Sequence, residues 1–272
     1  MGKFDGVLIC TDLDGTLYRN DKTISPENKS AIEYFKSEGG FFTFVTGRMP
    51  YFARDVFESV APNVPIGCVN GAGVYDYFND EYIWKASMHE DVYELIRCVD
   101  ENFPHVGIQV NTYYKTHFCK ENEVMEHFRQ ITGAENIVCR YTEVKDIAKI
   151  VFGVCTEEEM CGVERLLKNH PLAENFGFIR SEKYLYEILP KDIGKGTSIQ
   201  RICEKLGIDE NKTIAVGDYN NDISMFRAAK VGIAVSNACE DAKRAADFIT
   251  VSNEEHAIAR IISDLENKVF PI

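Results

Sequence analysis

The chain alternates short apolar runs with longer amphipathic stretches. Val7-Leu8-Ile9-Cys10 is entered from polar Lys3 and Asp5 and leaves through Thr11-Asp12-Leu13-Asp14-Gly15-Thr16, as a buried parallel strand delivering two carboxylates into a turn would. Ser25-Pro26-Glu27 reads as an N-cap followed by proline at the first helical position, and Ile32 and Phe35 give an apolar stripe that stops at Gly39-Gly40. Phe41-Phe42-Thr43-Phe44-Val45 is aromatic and β-branched, hence a second strand, and stops at Thr46-Gly47-Arg48. A helix over 51–60 leads to a third strand, Ile66-Gly67-Cys68-Val69, closed by Asn70-Gly71-Ala72. Strands alternating with helices predict a right-handed parallel βαβ sheet.

From Val74 the pattern changes. Two short aromatic runs, 74–77 and 81–84, predict an antiparallel hairpin. A helix over 89–102, strands over 107–114 and 149–154, a helix over 157–169 and a hairpin of 176–179 with 184–189 follow. Lys195-Gly196-Thr197 then opens a helix whose Ile199, Ile202, Cys203 and Leu206 share one face, with Gly207 at its end. Thr213-Ile214-Ala215-Val216 is another buried strand, running into Gly217-Asp218-Tyr219-Asn220-Asn221-Asp222, and strands over 231–235 and 247–251 and a helix over 254–268 close the chain. The pattern predicts an α/β protein whose parallel sheet is built from 1–82 and 189–272, with an inserted α+β domain over 83–188.

Composition narrows the partners. A chain of 272 residues with 45% hydrophobic and 27% charged residues has material for two cores. The net charge of −13 argues against a nucleic-acid or anionic-membrane surface. A small anionic substrate remains compatible, provided local cations meet it. No stretch approaches a membrane span and no basic, then apolar, leader opens the chain, so a cytoplasmic protein is expected. Nine cysteines without a Cys-x-x-Cys pair read as reduced thiols, and Cys155 and Cys161 lack a histidine at zinc-ligand spacing. Nothing in the sequence reads on oligomeric state.

The chemistry lies in four polar clusters that follow a strand or open a helix: Asp12/Asp14/Thr16, Thr46/Gly47/Arg48, Lys195/Gly196 and Gly217/Asp218/Asn221/Asp222. Each alone fits a turn or a helix cap. A calcium loop is excluded at the first, because Gly15 is fourth and Thr23 twelfth where the pattern wants Gly sixth and Glu twelfth. Gly194-Lys195-Gly196-Thr197 lacks the earlier glycine of a Walker loop, and Asn70-Gly71-Ala72-Gly73 is no dinucleotide fingerprint. Paired carboxylates beside hydroxyls and exposed N–H groups suit a magnesium ion and a transferring phosphoryl group.

In this order the clusters resemble the four motifs of the haloacid dehalogenase superfamily, with Asp12-Leu13-Asp14-Gly15-Thr16 as the first, and the resemblance covers essentially the whole chain. The insertion, bracketed by Asn70-Gly71-Ala72, Glu187-Ile188 and Lys195-Gly196, is similar to the type II-B cap of the Cof-type phosphatases. The resemblance implies a Rossmann-like core with an α+β cap that selects the substrate. It implies Asp12 as nucleophile and magnesium ligand, and Asp14 as acid/base that also offers its backbone carbonyl to the metal. Thr46, Gly47, Lys195 and Asn221 would hold the phosphoryl group, Asp218 would complete the metal ligands, and Asp222 and Arg48 would support them. The family often has Met before a late Asn-Ala pair; here the stretch is Val235-Ser236-Asn237-Ala238, and the resemblance assigns no role to Asn237.

A carboxylate attacking a dianionic ester needs cations to offset like-charge repulsion, and Lys195 with magnesium would supply them. The neighbouring Asp12 is a reason to expect a raised pKa at Asp14. Asp14, where P-type ATPases carry Thr, points to a phosphatase of small phosphorylated metabolites, with sugar phosphates the expected class. A phosphomutase, or a ligand-binding regulator without turnover, are the alternatives.

Overall fold

The computed structural model describes residues 2–135 and 137–272. The chain runs β1 (Leu8–Thr11), α1 (Pro26–Ser37), β2 (Phe41–Phe44), α2 (Arg54–Val60), β3 (Ile66–Cys68), β4 (Gly73–Asp76) and β5 (Glu81–Lys85). It continues through α3 (Val92–Asn102), β6 (Gly107–Thr112), β7 (Thr116–Lys120), α4 (Glu123–Thr132), β8 (Ile147–Gly153), α5 (Glu157–Lys168), β9 (Phe176–Glu182) and β10 (Leu185–Pro190). It closes with α6 (Lys195–Leu206), β11 (Thr213–Gly217), α7 (Ile223–Ala228), β12 (Val231–Ala234), α8 (Glu240–Ala245), β13 (Phe248–Ile249) and α9 (Ala257–Glu266). Two compact units result: one runs to Lys85 and resumes at Gly194, the other is Ala86–Ile193.

The first unit is an α/β core. Its parallel sheet has the order β13-β12-β11-β1-β2. β1 is central, pairing Thr11 with Val216 on one side and with Phe44 on the other. Strand neighbours cover its edges and the crossover helices of a parallel sheet cover its faces, which is why Leu8, Ile9 and Cys10 are all apolar and wholly buried. Each such Leu or Ile contributes roughly 1.5–3 kcal/mol relative to exposure, so Asp12 leaves a firmly held strand. Ser25 caps α1 by accepting the Asn28 N–H at 3.2 Å, as its sequence signature requires.

The third strand departs from a simple parallel sheet. β3 reaches the sheet through one parallel bridge, Val45 with Gly67, and then pairs antiparallel with β4, which pairs with β5. The reversal is made by consecutive left-handed residues: Val69 (φ 55°), Asn70 (φ 51°) and Gly71 (φ 95°). Gly71 is required there, since a Cβ would lie 1.8 Å from the Gly194 carbonyl oxygen. The turn brings Asn70 back toward Thr46, whose carbonyl accepts the Asn70 N–H at 3.1 Å.

The second unit carries an antiparallel sheet of order β7-β6-β8-β10-β9. Ile108, Val110, Ile150, Phe152, Tyr186 and Ile188 form one core with Leu95, Ile96 and Val99 of α3 and Met160, Val163 and Leu167 of α5. β7, the short edge strand, lies outside the strands that the sequence pattern predicts: Thr116-His117-Phe118-Cys119-Lys120 has too weak an alternation to announce itself. Among the described residues no helix is long and apolar enough to cross a membrane.

Candidate active site

Sheet topology places the acidic loops side by side. Asp12 follows β1 and Asp218 follows its neighbour β11, and the two strand ends are tied by the Asp12 N–H donating to the Val216 carbonyl at 2.8 Å. The carboxyl end of a parallel sheet is where such folds collect ligands. The Leu13–Leu17 turn depends on Gly15, whose φ is +82° and whose Cβ, were there one, would stand 2.6 Å from Asp218 Oδ2.

Lys195, at the start of α6, is the hub. It is 1% exposed, and its Nζ donates to Asp12 Oδ1 at 2.5 Å and to Asp222 Oδ1 at 2.6 Å. Asp222 is fully buried, and its Oδ2 accepts the N–H groups of Asp218 at 2.8 Å and Tyr219 at 3.0 Å. Asp218 Oδ1 accepts the Thr16 hydroxyl at 3.0 Å. Burial alone would depress the Lys195 pKa, but Asp12 and Asp222 outweigh it and hold the ammonium charged.

Ligand atoms of Asp12, Asp218 and Asp222 lie within 4.8 Å of one another. Three carboxylates, Asp12 and Asp222 buried and Asp218 partly so, against one ammonium leave an excess of negative charge. Burial, together with Asp222 and Asp218, therefore pushes Asp12 well above the carboxylate range, and burial and Asp222 push Asp218 up to about 7. A hard divalent cation, taking oxygen ligands, would offset the same excess, so the donor set fits magnesium. Both Asp222 oxygens are already taken by Lys195 and the loop N–H groups. Asp12 and Asp218, which give one oxygen each to Lys195 and Thr16, would be the side chains left to bind it, with Asp222 as their frame.

Asp14 faces a different set of partners. Arg48 donates to it from Nη2 to Oδ1 at 2.8 Å and from Nε to Oδ2 at 3.1 Å, and Lys22 Nζ donates to Oδ1 at 2.8 Å. The expectation of a raised pKa is overturned. Burial does push the carboxyl up, but Arg48 and Lys22 outweigh it and hold Asp14 below its ordinary value.

Thr46 is buried, with its hydroxyl oxygen accepting the Arg48 N–H at 3.1 Å. Gly47 and Asn221 meet at Asn70: Asn221 Nδ2 donates to Asn70 Oδ1 at 3.2 Å, and a Cβ on Gly47 would lie 3.0 Å from that same oxygen. The sequence-predicted residues thus form one contact group around Lys195 (Asp12, Asp218, Asp222) and a second around Arg48 (Asp14, Thr46). Gly47 and Asn221 are joined through a residue not placed in the site, Asn70, whose signal was the Asn-Gly-Ala that ends β3. Two further side chains belong here. Asn237 Nδ2 donates to the Gly15 carbonyl at 2.8 Å, and its Oδ1 accepts the Asn253 N–H at 2.9 Å, so it ties the Asp12–Thr16 turn to the turn before α9. Lys22 carried no signal beyond being a loop lysine.

The comparisons with known proteins agree with this architecture. A sequence profile described as haloacid dehalogenase-like hydrolase matches residues 9–262. Phosphatase YwpJ of Bacillus subtilis is 24% identical over 286 residues, covering 95% of this chain and 99% of its own length. The B. subtilis 5-amino-6-(5-phospho-D-ribitylamino)uracil phosphatase YwtE is 26% identical over 282 residues, covering 94% and 97%. A solved structure described as a HAD subclass IIB sugar phosphatase superposes with a TM-score of 0.84 at 24% identity, covering 95% of this chain and 98% of its own.

Proposed function

This chain belongs to the haloacid dehalogenase-like hydrolases and is a phosphatase of that family, and from that premise we propose that it hydrolyses monoesters of small phosphorylated metabolites through an aspartyl-phosphate on Asp12, with magnesium as cofactor. Sugar phosphates are the substrate class best supported. The sugar phosphatase and the ribitylaminouracil phosphatase it resembles both act, by their names, on phosphorylated polyhydroxyl compounds. The α+β unit, as the part outside the catalytic core, would choose among them.

The observation that carries the reading is the pairing of Asp12 with Lys195 at 2.5 Å inside a carboxylate cluster. Asp12 attacks phosphorus. The Lys195 ammonium, held charged and aimed by Asp222, offsets the negative charge that gathers as the bond forms. Thr46 and Asn221 donate to the phosphoryl oxygens, with Gly47 leaving room beside Asn70. A magnesium ion held by Asp12, Asp218 and the Asp14 carbonyl would shield the repulsion between carboxylate and phosphate. Asp14 gives a proton to the departing oxygen and later takes one from the attacking water. Its ionised state in the Arg48 fork suits the second task. The first requires that grip to loosen and the carboxyl to gain a proton.

The test is phosphate release from a panel of sugar phosphates, nucleotides and p-nitrophenyl phosphate, with and without magnesium. Magnesium-dependent release is expected, with at least one sugar phosphate preferred. Absence of release from every compound would overturn the reading.

A further inference from the structure

The geometry points to an oxidisable dithiol in the α+β unit: Cys119 and Cys139 form a reversible disulfide on reaction with hydrogen peroxide. Their sulfurs lie 3.9 Å apart across 20 positions of sequence. Cys119 sits in β7 at an irregularity of the ladder, where Phe118 pairs with Gln109 and Lys120 with Ile108, leaving Cys119 as the extra residue. Such a bulge re-aims a side chain. Here the thiol meets the segment that follows α4, which is already held to the edge strand by the Phe118 N–H donating to the Ile137 carbonyl at 3.2 Å. Both sulfurs are only partly buried, at the margin of the α3/α5 core, so a small oxidant reaches them while the backbone around them stays anchored.

The chemistry balances with the peroxide as the only co-reactant. The Cys139 thiolate attacks one peroxide oxygen, the O–O bond breaks, and a sulfenic acid forms as hydroxide leaves. Cys119 then attacks that sulfur. The S–S bond forms, the sulfenyl oxygen leaves as hydroxide and takes up a proton, and two thiols and one peroxide become a disulfide and two waters. The same bonds form and break if Cys119 is oxidised first, so the disulfide product does not depend on the order. The new bond would fasten α4 and the segment after it to the sheet edge. None of this depends on the reaction proposed for Asp12.

The experiment is limited oxidation of the full chain with hydrogen peroxide, followed by intact mass and peptide mapping. The expected result is a loss of about 2 Da from two departing hydrogens, mapped to a Cys119–Cys139 link that dithiothreitol reverses and that Cys139→Ser abolishes. Proximity acts on the second step, so the sulfenic acid should be captured as the link before a further oxygen adds, whereas the exposed thiols Cys155 and Cys161 should go on to add oxygen. A link between any other pair, such as Cys10 with Cys203, would overturn the assignment. So would oxygen addition without a link, or no change at Cys119 and Cys139 while Cys155 and Cys161 oxidise.

Discussion

Arg48 grips Asp14 as a two-pronged fork, with Nη2 on Oδ1 at 2.8 Å and Nε on Oδ2 at 3.1 Å, while Thr46 Oγ1 accepts the Arg48 backbone N–H. The fork ties the residue proposed as acid/base to one proposed to hold phosphate. Lys22 also reaches Asp14, but its side chain is 64% exposed against 33% for Arg48. Exposed ion pairs contribute little, whereas bidentate charged hydrogen bonds are strong and directional.

Arg48→Ala should therefore lower kcat by on the order of 10- to 100-fold. Arg48→Lys should recover only part of that, because an ammonium cannot replace the fork. Lys22→Ala should cost less than about threefold. Steady-state kinetics on the three variants check the order, and a Lys22 effect as large as that of Arg48 would refute it.

Lys195 makes a stability prediction as well. Lys195→Met leaves Asp12, Asp218 and Asp222 with no buried cation, and breaking a buried pair by removing one partner costs about 3–5 kcal/mol. Adding Asp222→Asn should return part of that loss while activity stays absent. Denaturant unfolding of the single and double variants measures both, and a loss below about 1 kcal/mol for Lys195→Met would contradict the buried-charge account.

Gly15→Ala tests the turn. A Cβ would press on Asp218 Oδ2 and sit at an unfavourable positive φ. The displaced carboxylate should raise the magnesium concentration needed for half-maximal activity by roughly tenfold or more. Chelation should stop turnover in the parent protein, with magnesium restoring it and calcium, which prefers looser and higher coordination, failing to. A magnesium titration reads both effects, and unchanged activity in excess EDTA would remove the metal from the account.

Much of this site was legible in the sequence because parallel strands announce themselves. Leu8 to Cys10 and Ile214 to Val216 are uninterrupted apolar runs, and the polar residues just beyond them fall at one end of the sheet by topology. The Asn70-Gly71 turn was marked, but that it starts one residue earlier, at a left-handed Val69, and pairs β4 antiparallel with β3 was not, since a left-handed valine carries no sequence mark. Nor were the partners of Asp14. Asp12 is near in sequence and suggested a raised pKa, but Arg48 is 34 positions away and only the meeting of the β1 and β2 ends brings it to the carboxylate. Asn237 was obscured for the same reason: its partner, Gly15, lies 222 positions off.

Asp14→Asn should separate the two half-reactions. An amide can neither protonate a leaving oxygen nor deprotonate water. Since p-nitrophenolate departs readily as an anion, the first step should suffer less with p-nitrophenyl phosphate than with a sugar phosphate. Single-turnover rates that fall equally for both substrates would move the acid/base role to another residue.

The central claim is that Asp12 carries the phosphoryl group, and the most direct test is rapid quenching of Asp14→Asn with p-nitrophenyl phosphate, followed by mass mapping. The account predicts a phosphate-sized mass increase on the peptide containing Asp12, absent when Asp12→Asn is added, with Asp12→Asn alone reducing turnover by roughly 10³-fold or more. Phosphate trapped on another residue, or more than about a tenth of parent activity retained by Asp12→Asn, would contradict it.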